Sequence, residues 1–257
     1  MPRYKLTIEY DGSGFSGWQR QENGPSIQQV LEGAFFALTG QTISVHGAGR
    51  TDAGVHASGQ VADVDLGREW SAWRLREAIN AHLVGRPIAV LEVEPAADDF
   101  DARRSAIRRD YLYRIVNRRA PLTFDLGRAW RVKYALDAGA MHEAAQLLIG
   151  RHDFSTFRDS QCQASSPLRT LDRLEVTRDG DQIDFFVGAR SFLHRQVRSM
   201  VGSLVEVGSG KWLPADLRAA LEAADRSRCG PVAPACGLYL ARVEYEETTF
   251  TNTSRAY

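Results

Sequence analysis

The chain has 257 residues and a mass of 28.6 kDa, with 44% hydrophobic and 25% charged residues. This composition excludes disordered, collagen-like and coiled-coil proteins and fits one large or two smaller globular domains. The formal net charge is zero, but residues 1–102 hold 8 Lys/Arg against 14 Asp/Glu, whereas residues 103–257 hold 24 against 18. The second half therefore suits a polyanionic partner.

The sequence also argues against a membrane or secreted class of protein. No apolar run approaches the roughly 18–20 residues of a membrane span, and the N-terminal residues lack a signal-peptide core. The three cysteines are too few for a disulfide framework, and they show no zinc-ligand spacing. We therefore expect a cytoplasmic protein without a structural metal.

Hydrophobic periodicity predicts alternating strands and helices in the first hundred residues. Tyr4 to Tyr10 alternates apolar and polar residues and ends at Asp11-Gly12, which indicates a strand and a turn. Pro25-Ser26-Ile27 indicates the start of a helix that reaches about Leu38. Further segments are predicted as strands at 42–47, 56–65 and 87–94 and as a helix at about 71–82.

The acidic, alanine-rich stretch from Pro95 to Asp101 predicts a linker between an N-terminal domain, 1–102, and a C-terminal domain, 103–257. The second part is predicted to contain strands at 107–117, 171–178, 182–189 and 237–246 and helices at 137–149 and 192–208. Asp179-Gly180-Asp181 is typical of a hairpin turn. Because helices alternate with strands that include antiparallel hairpins, we predict an α+β fold rather than a doubly wound parallel sheet.

Residues 47–61, GAGRTDAGVHASGQV, form the most unusual stretch of the sequence. Its four glycines allow the backbone to approach a ligand closely. The glycine spacing excludes a dinucleotide fingerprint, and no phosphate loop is present. The remaining chemical group is a carboxylate, Asp52, two residues after Arg50 in a loop between two predicted strands. Asp52 either caps its own turn or is catalytic, and the pattern alone leaves both open.

The strand after the linker interleaves tyrosines with arginines. With a period of two residues, Tyr111 and Tyr113 share one face while Arg114 lies on the other. Rings that stack on bases and guanidiniums that bind phosphates suit a nucleic-acid platform. The alternative is a core face built from the tyrosines, which we expect for one of the two. Seven arginines between Arg103 and Arg119 are opposed within that stretch only by Asp110.

The predicted helix at 192–208 presents a third candidate. On a helical wheel Arg198 lies at the border of the apolar stripe, His194 lies beside it, and Arg195 points well away. A border arginine either extends its head group to solvent or holds a buried carboxylate ionised in a cleft. The histidines are dispersed, so His56 and His194 are expected to be structural or RNA-contacting rather than metal ligands.

Several motifs together resemble one known family. The strings GAGRTDAGVHA, RRDYLYRI, LLIGRHDFSTF, SFLHRQVRSMVGSLVEVG and GLYLARVEY closely resemble the tRNA pseudouridine synthase A family, in order along nearly the whole chain. The resemblance implies isomerisation of uridine to pseudouridine at positions 38, 39 and 40 of the tRNA anticodon arm. It also implies two α+β domains, each with a mixed or antiparallel sheet covered by helices on one face, with the active-site cleft between them. A homodimer whose tRNA touches both subunits is expected.

The resemblance also assigns roles to four residues. Asp52 matches the family's catalytic aspartate, a nucleophile or base, and Arg50 matches the arginine that takes the place of the flipped base. Tyr111 matches the tyrosine that stacks on the target uracil, and Arg198 matches the basic residue paired with the aspartate. Because substrate and product are isomers, no redox cofactor, ATP or metal is expected.

Arg109 and His194 are predicted as further substrate-binding residues. The sequence departs from the family at two places: Val84 stands where a proline is usual, and Arg104 stands where an aromatic residue is usual. Both departures lie outside the four catalytic positions and bear on local loop and RNA contacts.

Two other functions compete with this interpretation. The first is a non-catalytic RNA-binding module that uses the tyrosine-arginine strand alone. The second is a glycosidase-like hydrolase of nucleosides, although glycosidases generally use two carboxylates. In an isomerisation no group departs and water is kept out, so one carboxylate, Asp52, can suffice.

Overall fold

One mixed sheet of ten strands organises the chain in the computed structural model, which describes residues 1–22 and 24–246. The strands are β1 Arg3–Tyr10, β2 His46–Gly47, β3 His56–Asp65, β4 Ile88–Ala96, β5 Ala106–Asn117, β6 Trp130–Val132, β7 Gly150–Asp153, β8 Leu168–Asp179, β9 Gln182–Ala189 and β10 Leu238–Tyr245. Their order is β4-β1-β3-β10-β5-β9-β8-β7, with β2 beside β3 and β6 beside β5. Only the β10–β3 and β5–β6 pairs are parallel among the described strands.

Five α-helices accompany the sheet within the described residues: α1 Ile27–Thr39, α2 Ala72–Leu83, α3 Ala138–Ala145, α4 Gln196–Gly208 and α5 Pro214–Ala223. Local sequence explains where they begin and end. The Ser26 hydroxyl accepts the Gln29 N–H at the start of α1, and Gly40 ends that helix in the left-handed conformation. Helix α2 packs on β4 and α3 on β8. The α+β prediction is therefore confirmed.

Some predicted element boundaries were wrong. Helix α4 begins at Gln196 rather than at residue 192, and α3 gives way after Ala145 to a short 3₁₀ turn. The strand predicted at 42–47 is confined to two residues. The segments β6, β7 and α5 were not predicted. Helix α5 did carry a start signal, because Pro214 occupies its first position and the Asp216 carboxylate accepts the Leu213 N–H.

The last strand joins the two halves of the sheet. Strand β10 pairs with β3 on one side and with β5 on the other, so the end of the described chain lies between the N-terminal and C-terminal strands. Two hydrophobic clusters fill the core, one packed around α1 and α2 and one around α3 and α4. Tyr111 of β5 packs against both clusters. The domain boundary at residues 102 and 103 stays a prediction.

The helices in the described part of the chain are all too short or too polar to cross a membrane.

Candidate active site

The glycine-rich loop of residues 48–55 lies between β2 and β3 and is fixed to the surrounding strands. The Thr51 hydroxyl hydrogen-bonds to the Tyr10 hydroxyl at 2.8 Å, and the Gln60 side chain donates to the Gly49 carbonyl at 2.8 Å. The Trp18 N–H donates to the Thr51 carbonyl at 3.1 Å. The loop backbone on both sides of Arg50 is therefore held while the Arg50 side chain is exposed.

Asp52 uses its carboxylate across the fold rather than within its own turn. Its backbone carbonyl closes the turn by accepting the Val55 N–H, but its side-chain Oδ2 accepts from Arg198 Nη1 at 2.8 Å. These residues are 146 positions apart in sequence. The Asp52 side chain keeps 20% of its surface exposed and the Arg198 side chain 14%. The predicted ion pair is thus present, in a partly buried cleft that a ligand can still reach.

A second contact fixes the Arg198 guanidinium. Its Nε donates to the Ala233 carbonyl at 2.8 Å, and the Ala233 N–H donates back to the Arg198 carbonyl at 3.0 Å. The 231–233 segment can approach α4 this closely because residue 202 is a glycine; a Cβ there would overlap the Pro231 carbonyl oxygen. With both Nε and Nη1 committed, the arginine presents a fixed charge to Asp52.

Three more ionisable side chains lie at the site. His194 Nε2 lies 3.2 Å from Asp52 Oδ1, and Arg195 Nε lies 3.9 Å from Asp52 Oδ2. Asp159 lies behind both, with its carboxylate 2.9 Å from Arg195 Nη1 and 3.6 Å from His194 Nδ1. The prediction that Arg195 points well away was wrong. Helix α4 begins at Gln196, so Arg195 lies outside the helix and the helical wheel does not describe the direction of its side chain.

The carboxyl group of Asp159 is held in its charged form. Burial raises its pKa, but the Gln161 N–H at 2.9 Å, Arg195 and His194 outweigh burial, so the pKa lies below its ordinary value. Sequence reasoning did not find Asp159, since it lies in an irregular segment where no periodicity indicates the direction of a side chain.

Tyr111 lies half-buried at the junction of the two hydrophobic clusters. Its ring makes an edge-to-face contact with Phe192, with centroids 5.1 Å apart. Burial raises the pKa of Tyr111 to about 12, while Arg109 lowers it and Asp52 raises it, so the phenol stays protonated near the loop. Tyr113 is fully buried and donates its hydroxyl to the Pro234 carbonyl. The expectation that one of the two tyrosines belongs to the core is confirmed for Tyr113.

Arg109 connects three segments at the site. Its guanidinium donates to the backbone carbonyls of Ala48 at 2.8 Å, Arg103 at 2.7 Å and Arg190 at 2.6 Å. Burial lowers the pKa of Arg109 below its ordinary value. These contacts hold the backbone of residues 103 and 190 near Ala48 of the glycine-rich loop, and the side chains of both arginines are exposed. Substrate binding by Arg109 itself stays a prediction.

Most of the other arginines in the 103–119 cluster have acidic partners. Arg108 pairs with Asp110 at 2.9 Å, Arg114 with Asp184 at 3.4 Å, Arg118 with Asp181 at 3.8 Å and Arg104 with Asp101 at 3.7 Å. Asp110 is the only acidic residue within the stretch 103–119. In the folded chain, however, Asp101, Asp181 and Asp184 from outside that stretch also pair with its arginines. The exposed charges with most freedom to meet a polyanion are therefore those of Arg103 and Arg119.

His56 is buried, and both of its ring nitrogens lie near backbone groups. It is 2% exposed, accepts the Gly12 N–H at Nδ1, and its Nε2 lies 3.0 Å from the Gly127 carbonyl. Within residues 1–22 and 24–246, no group of three His, Cys, Asp or Glu side chains is arranged to hold a metal ion.

The chain is similar to a family described as tRNA pseudouridine synthase, whose sequence model matches residues 6–103 and 144–246. The tRNA pseudouridine synthase A of Beijerinckia indica is 66% identical over 247 residues, which cover 96% of this chain and 95% of the relative. The enzymes of the same name from Methylocella silvestris and Rhizobium meliloti are 63% and 61% identical and match over their whole length, covering 96% and 95% of this chain.

Among solved structures, a chain in a crystal structure of a Cbf5-Nop10-Gar1 complex aligns with 79% of this chain and 45% of its own length. The sequence identity is 12% and the TM-score 0.36. A likeness at this level carries no argument about fold or function.

Proposed function

The chain belongs to the tRNA pseudouridine synthase family, and we propose that it isomerises uridine at positions 38, 39 and 40 in the anticodon arm of tRNAs. Members of this family are isomerases that convert uridine to pseudouridine. The observation that carries the proposal for this site is the Asp52–Arg198 ion pair, with Tyr111 close enough to Asp52 that the carboxylate adds to burial in raising the pKa of the tyrosine. A partly exposed carboxylate, a fixed cation and an aromatic ring are the groups that the proposed reaction needs.

In the proposed reaction the uracil is detached from C1′ of the ribose, turned, and rejoined through C5. Asp52 acts either as a nucleophile at C1′ or as a base that takes the C2′ proton. The Arg198 guanidinium binds Oδ2 and so orients the carboxylate toward the sugar. No atom is gained or lost between substrate and product. The balance of the reaction therefore requires no oxidant, reductant or ATP.

Before the chemistry, the target base leaves the stacked anticodon arm, which costs a few kcal/mol. We assign the exposed Arg50 to the space that the base vacates and Tyr111 to stacking on the uracil. The edge contact from Phe192 keeps the tyrosine ring in one orientation for this purpose. His194 and Arg109 complete the substrate-binding set in this proposal.

Unmodified tRNA transcripts incubated with the protein should contain pseudouridine at positions 38, 39 and 40, and Asp52→Asn protein should give none. Pseudouridine is mapped along the transcript by chemical labelling and primer extension. Pseudouridine only at other positions would contradict the assigned sites. Free uracil among the products would instead support a nucleoside hydrolase, and tight binding without product would support an RNA-binding module.

The proposal includes a homodimer that works in the cytoplasm, with one tRNA contacting both protomers. The N-terminal domain, 1–102, would carry the aspartate loop, and the C-terminal domain, 103–257, would carry the Tyr111 strand and the Arg198 helix. A mass measurement in solution with and without tRNA tests the dimer, and a single protomer bound to one tRNA would contradict it.

We expect tRNA binding to weaken steeply with salt, because bound phosphates release counterions. Arg103→Gln should reduce the slope of log affinity against log salt by about one, since that side chain is exposed and its backbone is joined through Arg109 to Ala48 of the glycine-rich loop. Arg108→Gln is the matched control, because Asp110 already neutralises its charge at 2.9 Å. Fluorescence anisotropy over a salt series measures both slopes. Equal slopes for wild type and Arg103→Gln would argue against a phosphate contact there.

A further inference from the structure

Arg195 has an unusual backbone at the edge of the site. It precedes α4 with φ 59° and ψ 12°, the left-handed region that residues other than glycine rarely occupy. Its side chain does not cap the helix. Non-glycine residues are held in this conformation only when surrounding contacts fix them, and such residues concentrate at functional sites. The contacts that fix Arg195 are therefore informative.

Asp159 supplies those contacts through both its backbone and its side chain. Its N–H donates to the His194 carbonyl at 3.0 Å, and its Oδ2 accepts from Arg195 Nη1 at 2.9 Å. Its Oδ1 also accepts the Gln161 N–H at 2.9 Å. The Asp159 side chain is only 10% exposed, so water competes weakly for the arginine. The segment around Asp159 thus holds residues 194–195 in place.

Two carboxylates compete for the Arg195 guanidinium. The closer one is Asp159, and the other is Asp52, whose Oδ2 lies 3.9 Å from Arg195 Nε. Asp52 already binds Arg198 at that same oxygen, His194 Nε2 lies 3.2 Å from its other oxygen, and 20% of the Asp52 side chain is exposed. If Arg195 moved fully onto Asp52, both guanidiniums would cover the carboxylate, and little of it would remain to meet a ribose. The charge of Asp159 opposes that movement.

We propose that Asp159 is a positioning residue for the isomerisation: it retains Arg195 beside Asp52 but not on it, which leaves the Asp52 carboxylate available to the substrate. The proposal rests on the role proposed above for Asp52. This role would explain why Asp159 is charged although it is buried, and why the backbone of Arg195 is held in the left-handed region. Neither residue belongs to the four positions to which the family resemblance assigned a role.

The test is a double-mutant cycle on kcat. Asp159→Asn keeps the shape and an oxygen that can accept the Gln161 N–H, but it removes the charge that retains Arg195. We expect kcat to fall by about tenfold or more, the size of coupling seen between groups in contact, while KM for tRNA changes little. In an Arg195→Gln background no guanidinium can move onto Asp52, so Asp159→Asn should then change kcat by less than about twofold.

Asp225→Asn is the matched control, because Asp225 caps the Ser227 N–H two residues on, as Asp159 caps Gln161. It should leave kcat unchanged. Three outcomes would overturn the proposal: wild-type kcat for Asp159→Asn, an equal loss in both backgrounds, or an inactive Arg195→Gln single variant. An equal loss would mean that Asp159 only shapes its turn. None of these outcomes would by itself contradict the role proposed for Asp52. That role would fail if the Asp52→Asn protein remained active.

Discussion

Asp52→Asn should abolish pseudouridine formation while the fold and tRNA binding stay largely intact. Removing an essential catalytic carboxylate costs roughly four orders of magnitude or more in turnover. Asparagine retains an oxygen that can accept from Arg198 Nη1, so the 2.8 Å contact and the anchoring of the loop at Thr51 need not change. What is lost is the negative charge of the carboxylate, which the role proposed for Asp52 at C1′ or at the C2′ proton requires.

Tritium release from C5-labelled uridine in tRNA, under single-turnover conditions, measures this loss directly. Asp65→Asn is the control, because Asp65 ends strand β3, which follows the loop of Asp52, and its carboxylate pairs with Arg3 at 2.7 Å. The control should stay within about twofold of wild type, as expected for a partly exposed ion pair. Asp52→Asn activity within about tenfold of wild type would contradict the assignment.

The site could be predicted from the sequence where it lies in regular or strongly patterned segments. The glycine-rich loop is visible as a pattern, and the alternation in β5 correctly places Tyr111 and Tyr113 on one face. The position of Arg198 at the border of its helix's apolar stripe, together with the family resemblance, predicted its contact with Asp52. The structure adds the distance and the second anchor at the Ala233 carbonyl.

The remaining features could not be predicted for physical reasons. The direction of the Arg195 side chain depends on a left-handed backbone, which no helical periodicity anticipates for an arginine. Asp159 meets the site only because the irregular segment after β7 folds back against residue 194. The partners of Arg114 and Arg118 come from the β9 side of the sheet, so their neutralisation depends on strand pairing. Each of these is set by tertiary structure rather than by local pattern.

Arg198→Ala and Arg198→Met should lose nearly all turnover, whereas Arg198→Lys should keep part of it. The arginine pairs with Asp52 while its Nε binds the Ala233 carbonyl, and only 14% of its side chain is exposed. Without the guanidinium the Asp52 carboxylate is no longer held in one orientation, and misplacement of a reacting group by about 1 Å costs on the order of a hundredfold in rate. We therefore expect turnover to fall by about a hundredfold, which is about 2.8 kcal/mol at about 1.4 kcal/mol per tenfold.

Lysine keeps the charge but cannot make both contacts with the geometry of a guanidinium fork, so its activity should lie between those of wild type and Ala. Affinity for tRNA should fall much less than turnover in all three variants, since Arg198 contacts Asp52 and a backbone carbonyl rather than exposed solvent. Arg218→Ala, which removes an exposed arginine of α5, is the matched control and should leave kcat unchanged. Normal turnover by Arg198→Ala would show that the ion pair seen in the structure has no part in orienting Asp52. Equal losses in kcat and affinity would place Arg198 in tRNA binding instead.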